Sequence, residues 1–164
     1  MIRLQKIYSD QQSLDRIADW RNKSLSTLRT AGLTSKGISQ INWVKNLDES
    51  EKYYFIFKGS VVVGYCGLDK IHPANRTAEI SLLISPDYRG ENIGSTAVKK
   101  LIKKGFLKFN LNLIFGEAYS TTQNIKFWYK QGFRPDGVLR QRKYWEGKFY
   151  DSMVFSMLKK EMEW

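Results

Sequence analysis

Cysteine and histidine are almost missing from this chain of 164 residues, which has one of each, Cys66 and His72. A lone cysteine excludes an intramolecular disulfide framework and a multi-cysteine metal site, so no metal is expected and a reducing cytosol fits. A lone histidine means that Ser–His–Asp or Cys–His chemistry would have to run through His72. That residue stands in a loop-like stretch, His72-Pro73-Ala74-Asn75, where a solvated histidine is the simpler reading. Proline is scarce at three residues, and no linker rich in Pro, Gly or Ser, no repeat and no low-complexity tract interrupts the chain. It reads as one domain, residues 1–164, with one active site. The start, Met1 to Lys6, lacks the apolar centre of a secretion signal, and no later run approaches the length of a membrane span. A soluble, cytoplasmic protein without a membrane partner is therefore expected.

Basic and aromatic residues are abundant. Lys and Arg total 27 against 16 Asp and Glu, a formal net charge of +11, which implies attraction to polyanions without choosing among nucleic acid, a phosphorylated cofactor and acidic protein. Five Trp, nine Tyr and nine Phe argue for a packed interior.

Periodicity gives the order of elements. Ile2 to Ile7 reads as a strand, and Leu14, Ile17, Ala18 and Trp20 share one face of a helix ending near Asn22. Ile38, Ile41, Val44 and Leu47 mark a second helix. Tyr53 to Phe57 and Val61 to Cys66, separated by Lys58-Gly59-Ser60, form a hairpin signature, and Ala78 to Ile84 is a further strand. From Gly94 to Phe109, residues Ala97, Val98, Leu101, Ile102 and Phe106 lie on one helical face and Lys99, Lys100, Lys103 and Lys104 on the other. Leu111 to Tyr119 reads as a strand, Thr121 to Gln131 as a helix stopped by Gly132, and Val138 to Leu158 as two strands joined near Glu146-Gly147. The pattern β-α-α-β-β-β-α-β-α-β-β predicts an α/β (α+β) domain on a mixed, mostly antiparallel sheet, with a central βαβ unit.

The segment with most chemical content is Ile80 to Ser95, a strand that passes through a turn into the amphipathic helix. Pro86 and Asp87 end the strand, Gly90 and Gly94 allow close backbone approach, and Asn92 is the non-glycine residue best suited to positive φ. Such a turn presents unpaired amides at the positive end of a helix, where a diphosphate would be favoured, and Arg89 adds a charge. The same spacing also suits an ordinary strand-to-helix turn. Neither a P-loop nor the dinucleotide fingerprint is present, because no Gly-Lys-Ser/Thr follows and the glycines fall elsewhere.

Here the chain resembles the GNAT superfamily of acyl-CoA N-acyltransferases, whose signature is Arg/Gln-x-x-Gly-x-Gly/Ala between a strand and a helix. Arg89-Gly90-Glu91-Asn92-Ile93-Gly94 matches at Arg89 and Gly94, with Asn92 in place of the first signature glycine. The Ala78-Glu79-Ile80 strand, the closing Gly132-Phe133-Arg134-Pro135 and the order of elements are similar over nearly the whole chain. Lys148-Phe149-Tyr150-Asp151 and the strand after it resemble the branch acting on ribosomal-protein amino termini, polyamines and nucleotide-linked amino sugars. Trp20-Arg21-Asn22, Leu28-Arg29 and Ile38 to Trp43 look most like the amino-sugar members.

The resemblance implies acetyl-CoA as co-substrate and transfer to a primary amine of a small molecule or peptide, either a nucleotide-linked amino sugar or a protein amino terminus. Glu79, five residues before Ile84, stands where the family often has its base, the bland alternative being a cross-strand-paired glutamate. Backbone groups of Leu82, Leu83 and Ile84 would hold the pantetheine arm, and Arg89, Gly90, Glu91, Asn92, Ile93, Gly94 and Ser95 the diphosphate. Ser120-Thr121-Thr122-Gln123 suits a capping box. By resemblance Thr121 or Asn124 contacts the coenzyme and Trp128 lies near its pantetheine, although Phe127 and Trp128 also suit a core. The family's thiol-protonating tyrosine aligns with Trp128, one residue before Tyr129. Tyr129 is the candidate acid, the alternative being a thiolate of pKa near 8.5 that leaves unassisted. Polyamines fit a +11 protein worst unless the pocket is locally acidic. A monomer and a homodimer are both compatible with the sequence. The competing class is a nucleic-acid or ribosome-associated binding module without catalysis, using Lys99 to Lys104 and the cluster Arg134, Arg140, Arg142 and Lys143, interleaved with Tyr144 and Trp145.

Overall fold

The computed structural model describes residues 1–24, 36–119 and 122–163. Strands β1 (Ile2–Lys6), β2 (Lys52–Lys58), β3 (Val61–His72), β4 (Thr77–Ile84), β5 (Leu113–Tyr119), β6 (Arg134–Trp145) and β7 (Lys148–Leu158) form one sheet in the order β1-β2-β3-β4-β5-β7-β6. Every neighbouring pair is antiparallel except β4 with β5. That parallel pair needs a crossover, supplied by α3 (Ile93–Lys103) and a π-helical turn over Lys104–Lys108. The other helices are α1 (Gln11–Lys23), α2 (Ile38–Lys45) and α4 (Thr122–Lys130). The predicted order of elements is the observed one.

Each face of the sheet has its own core. Tyr53, Phe55, Phe57, Tyr65 and Leu83 pack with Leu14 and Ile17 of α1 and Trp43 of α2. Tyr54, Cys66, Leu68, Ala78, Ile80 and Ile114 pack with Val98, Leu101 and Ile102 of α3 and Trp128 of α4. The assignment follows from alternation, since residues two apart on a strand share a face. Gly132 (φ +94°) ends α4: its amide donates to the Tyr129 carbonyl and that of Phe133 to the Trp128 carbonyl, the paired bonds of a Schellman cap. The Phe133 ring then packs on Trp128 with centroids 5.4 Å apart.

Two strand boundaries differ from expectation by four residues or more. β3 runs on to His72, whose Nδ1 accepts the Asn75 amide N–H at 3.1 Å, so this histidine shapes the β3–β4 turn. β6 begins at Arg134 rather than Val138 and contains Pro135, which an edge strand tolerates because one row of its amides needs no partner.

Cys66 is fully buried, and burial pushes its thiol well above the ordinary range. A disulfide reagent such as DTNB is expected to titrate no thiol in the native protein and a single one after denaturation. Reaction of native protein at the rate of a free thiol would contradict this packing.

Candidate functional site

β4 and β5 are bonded only at Thr77, Ala78 and Glu79, opposite Leu113, Ile114 and Phe115. Beyond Glu79 they part: Ile80 to Ile84 remain paired with β3 alone and Gly116 to Tyr119 with β7 alone. One main-chain edge of β4 therefore faces an opening in the sheet, and a ligand with amide groups can extend the ladder there. The opening leads to a cleft of about 1060 Å³ lined by β4 from Glu79 onward, Tyr88 to Gly90 and Asn92 to Ser95 of the turn, Glu117 and Ala118 of β5, and Asn124, Phe127, Trp128 and Gln131.

The turn adopts the anticipated backbone. Gly90 has φ +83° and Asn92 φ +60°, and Asn92 caps α3 with its backbone but makes no side-chain cap. The first intrahelical amide to find a carbonyl is that of Thr96, bonded to Asn92 at 3.1 Å, so the amides of Ile93, Gly94 and Ser95 receive neither an intrahelical bond nor a side-chain cap. An anion-binding helix end therefore borders the cleft.

Glu79 sits at the apex of the opening, 3% exposed, with its carboxylate 2.6 Å from Lys70 Nζ. Its cross-strand neighbour is Asp69, 8% exposed, which accepts the Tyr53 hydroxyl at 2.8 Å. Burial, then the charge and hydrogen bond of Asp69, push the Tyr53 hydroxyl far above the usual tyrosine range, so it stays a donor. The Tyr65 hydroxyl accepts from Arg21; burial raises it, and the Arg21 charge opposes that shift. Glu117, at the opening's β5 side, pairs with Arg142 at 3.4 Å.

Of the residues expected to bind cofactor, Leu82, Leu83, Ile84, Arg89, Gly90, Asn92, Ile93, Gly94, Ser95, Asn124 and Trp128 line the cleft. Thr121 lies outside the described residues. Two of the expected residues lie away from the cleft wall. Glu91 is absent from the cleft wall, its carboxylate being drawn outward to Lys58 of β2. Tyr129, 36% exposed, also does not line the cleft, because one residue along a helix turns a side chain by about 100° and Trp128 takes the inward direction. Tyr129→Phe is accordingly expected to leave turnover unchanged within about twofold; a fall of tenfold in a steady-state assay would restore the tyrosine to the chemistry. Arg89 lines the cleft but bonds the Ser24 hydroxyl at 2.7 Å and the Ile84 carbonyl at 3.3 Å, tying the turn to the end of α1.

Trp128 has two roles: 9% exposed, it stacks on Phe155 at 4.9 Å while bordering the cleft. Tyr88, Glu117, Lys126, Lys130 and Gln131 line the cleft without having been anticipated, since only the fold brings them there. The basic cluster on β6 is less available than its sequence suggests: Lys143 is 4% exposed and lies 4.8 Å and 5.2 Å from the Tyr119 and Trp145 rings, and burial lowers its pKa. No helix among the described residues is long and apolar enough to cross a membrane, and no group of His, Cys, Asp and Glu among them is arranged to hold a metal ion.

Comparison with known proteins agrees with this geometry. The uncharacterized N-acetyltransferase p20 of Bacillus licheniformis is 32% identical over 126 residues, covering 76% of this chain and 71% of that protein. The ribosomal-protein-serine acetyltransferase of Escherichia coli is 24% identical over 111 residues, 65% of this chain and 60% of that one. The crystal structure of spermidine N-acetyltransferase from Vibrio cholerae in complex with CoA and spermine superposes with a TM-score of 0.87 at 18% identity, covering 98% of this chain and 96% of that one, a likeness of fold. The acetyltransferase (GNAT) family profile matches residues 14–133. With that match, a seven-stranded sheet opened between β4 and β5 and an uncapped helix end beside the opening, the chain belongs to the GNAT family and is an acyl-CoA-dependent N-acetyltransferase.

Proposed function

We propose that the chain transfers the acetyl group of acetyl-CoA to a primary amine by direct attack within a ternary complex, with Glu79 as the base. The observation that carries this reading is the position of Glu79, a buried carboxylate at the point where β4 loses its β5 partner. The exposed β4 edge from Leu82 to Ile84 would pair with the pantetheine amides. The amides of Ile93, Gly94 and Ser95 would receive the diphosphate, with the backbone of Gly90 and Asn92 shaping the turn and Asn124 and Trp128 bounding the arm.

The coenzyme supplies the acetyl group as a thioester. An alkylammonium of pKa about 10 holds its proton at pH 7 by about 4 kcal/mol, so a base must take it. Glu79 accepts that proton directly or through one water, and the amine nitrogen then attacks the carbonyl carbon. A β4 amide donates to the carbonyl oxygen as negative charge develops there. As the C–S bond breaks, the attached nitrogen loses its second proton to water, and the thiolate leaves without protonation by Tyr129.

The acceptor approaches from the face of α1 and α2, where Tyr53, Tyr65 and Trp43 stand beside Asp69 and Glu79. Among the described residues the acidic Asp69, Glu79 and Glu117 stand there with Lys70, Arg142 and Arg21, so the net +11 of the whole chain is offset locally and a cationic amine can approach. The E. coli relative is named for a ribosomal-protein acceptor, and within that class we favour a peptide amino terminus, over a nucleotide-linked amino sugar. A coenzyme-release assay with acetyl-CoA against peptide amino termini, polyamines and nucleotide amino sugars tests this. Turnover with peptides above the other two classes is expected; turnover confined to the sugars would reverse the choice, and no coenzyme release with any amine would sink the reaction.

A further inference from the structure

Gln131 is the residue that follows α4, and it is 4% exposed although its side chain is polar and borders the cleft. Its backbone is fixed by the Schellman cap built on Gly132, and its Nε2 donates to the Phe127 carbonyl at 3.2 Å. That bond settles the orientation of the amide, since a carbonyl oxygen accepts only from the nitrogen end. The same Nε2 donates to the Ser95 Oγ at 3.1 Å. Ser95 must therefore act as acceptor toward Gln131, and its one hydroxyl proton is directed elsewhere.

Among the described residues no acceptor takes that proton. Ser95 lines the cleft at the third position of α3, in the turn whose amides lack a side-chain cap. The Gln131 Oε1 is likewise buried without a hydrogen-bond partner, a costly arrangement in a protein that gains nothing from it. The uncommitted Ser95 proton is that of a donor held ready for a ligand, whereas the Gln131 Oε1, an acceptor, plays no part in holding an anion.

We infer that Gln131 is a positioning residue for the coenzyme: by donating to Ser95 it commits the Ser95 hydroxyl to donate into the cleft, where it bonds an oxygen of the diphosphate beside the amides of the first turn of α3. This rests on the proposed binding of acetyl-CoA in the cleft. A neutral serine would otherwise rotate between donor and acceptor roles; locked as donor, it makes a charge-assisted O–H···O⁻ bond with no reorganisation on binding. The effect belongs to the diphosphate alone and should be invisible to a ligand that lacks it.

The test is calorimetric affinity for coenzyme A and for pantetheine, which lacks the diphosphate, in the parent, Ser95→Ala, Gln131→Met and the double variant, with thermal melting as the folding control. Ser95→Ala and Gln131→Met are each expected to weaken coenzyme A about tenfold and to leave pantetheine affinity within twofold. The double variant should be no weaker than Ser95→Ala alone, because Gln131 acts through Ser95. Gln131→Asn, too short to reach Ser95, serves the same comparison should methionine unfold the chain. Additive losses in the double variant, or equal losses for coenzyme A and pantetheine, would show a merely structural glutamine and overturn the inference. A parent protein that binds neither compound would remove the cofactor reading first, and this role with it.

Discussion

Glu79→Gln is expected to lower turnover by about 10²-fold or more at neutral pH and to leave coenzyme affinity unchanged. The substitution keeps the size and shape of the side chain and removes its capacity to take a proton. Little stability should be lost. The Lys70 ammonium that pairs with Glu79 is 63% exposed, so water replaces the lost partner, and an ion pair with one exposed member contributes little. Loss of one of two buried carboxylates facing each other across β3 and β4 also relieves repulsion with Asp69. A melting temperature and a coenzyme dissociation constant equal to the parent's would isolate the defect in the chemical step. The size of the defect should depend on the acceptor. A peptide α-amine of pKa near 8 is partly free at pH 7, whereas a lysine-like amine of pKa above 10 is not. A base therefore matters more for the second, and the glutamine variant should lose more activity with it. Equal losses for both amines would mean that Glu79 only positions the acceptor, and undiminished turnover would remove it from the mechanism.

What the sequence makes legible here is whatever is encoded within a few residues. Alternating and helical periodicity give every strand and α-helix of the described chain, Asn92 takes positive φ, and Gly132 stops α4. Interactions between distant segments are the part that local pattern does not carry. Arg89 reads as a free charge for a diphosphate, yet it reaches Ser24, 65 residues away. Glu91 reads as part of the binding turn, and Lys58, 33 residues away, draws its carboxylate out. Asp69 gains significance only because the β3–β4 register sets it opposite Glu79. Gln131, in a run that reads as a helix end, meets Ser95 only after α4 has docked against α3. The parting of β4 and β5 is equally silent in sequence, since both strands stay apolar-rich on either side of the fork.

Gly64 shows how closely the site depends on main-chain packing. It lies in β3 opposite Ile84, beside the irregularity in the β2–β3 register, and its φ is not in the left-handed region, so its backbone alone would accept any residue. The constraint is contact: a Cβ here would lie 2.3 Å from the Leu83 carbonyl oxygen and 3.2 Å from the Ile84 Cα, both main-chain atoms of β4. A side chain in the way can rotate, as the Tyr53 ring beside Gly67 can, but a strand carbonyl held by its ladder can only move with the strand. Gly64→Ala is therefore expected to displace β4 and cost about 1–3 kcal/mol, seen as a fall of roughly 2–12 °C in Tm for a domain of this size. Because Leu83 and Ile84 line the cleft, the same shift should raise the KM for acetyl-CoA while kcat falls less, as β4 is still joined to β5 at Glu79. Gly59→Ala is the control: it shares the hairpin, lies at φ +61° with nothing within 4 Å of its Cβ, and should lose about 1 kcal/mol of stability with no change in KM. A Gly64→Ala protein that melts with the parent and keeps its KM would show that β4 yields freely, and the open edge could not then be the rigid template on which the coenzyme is held.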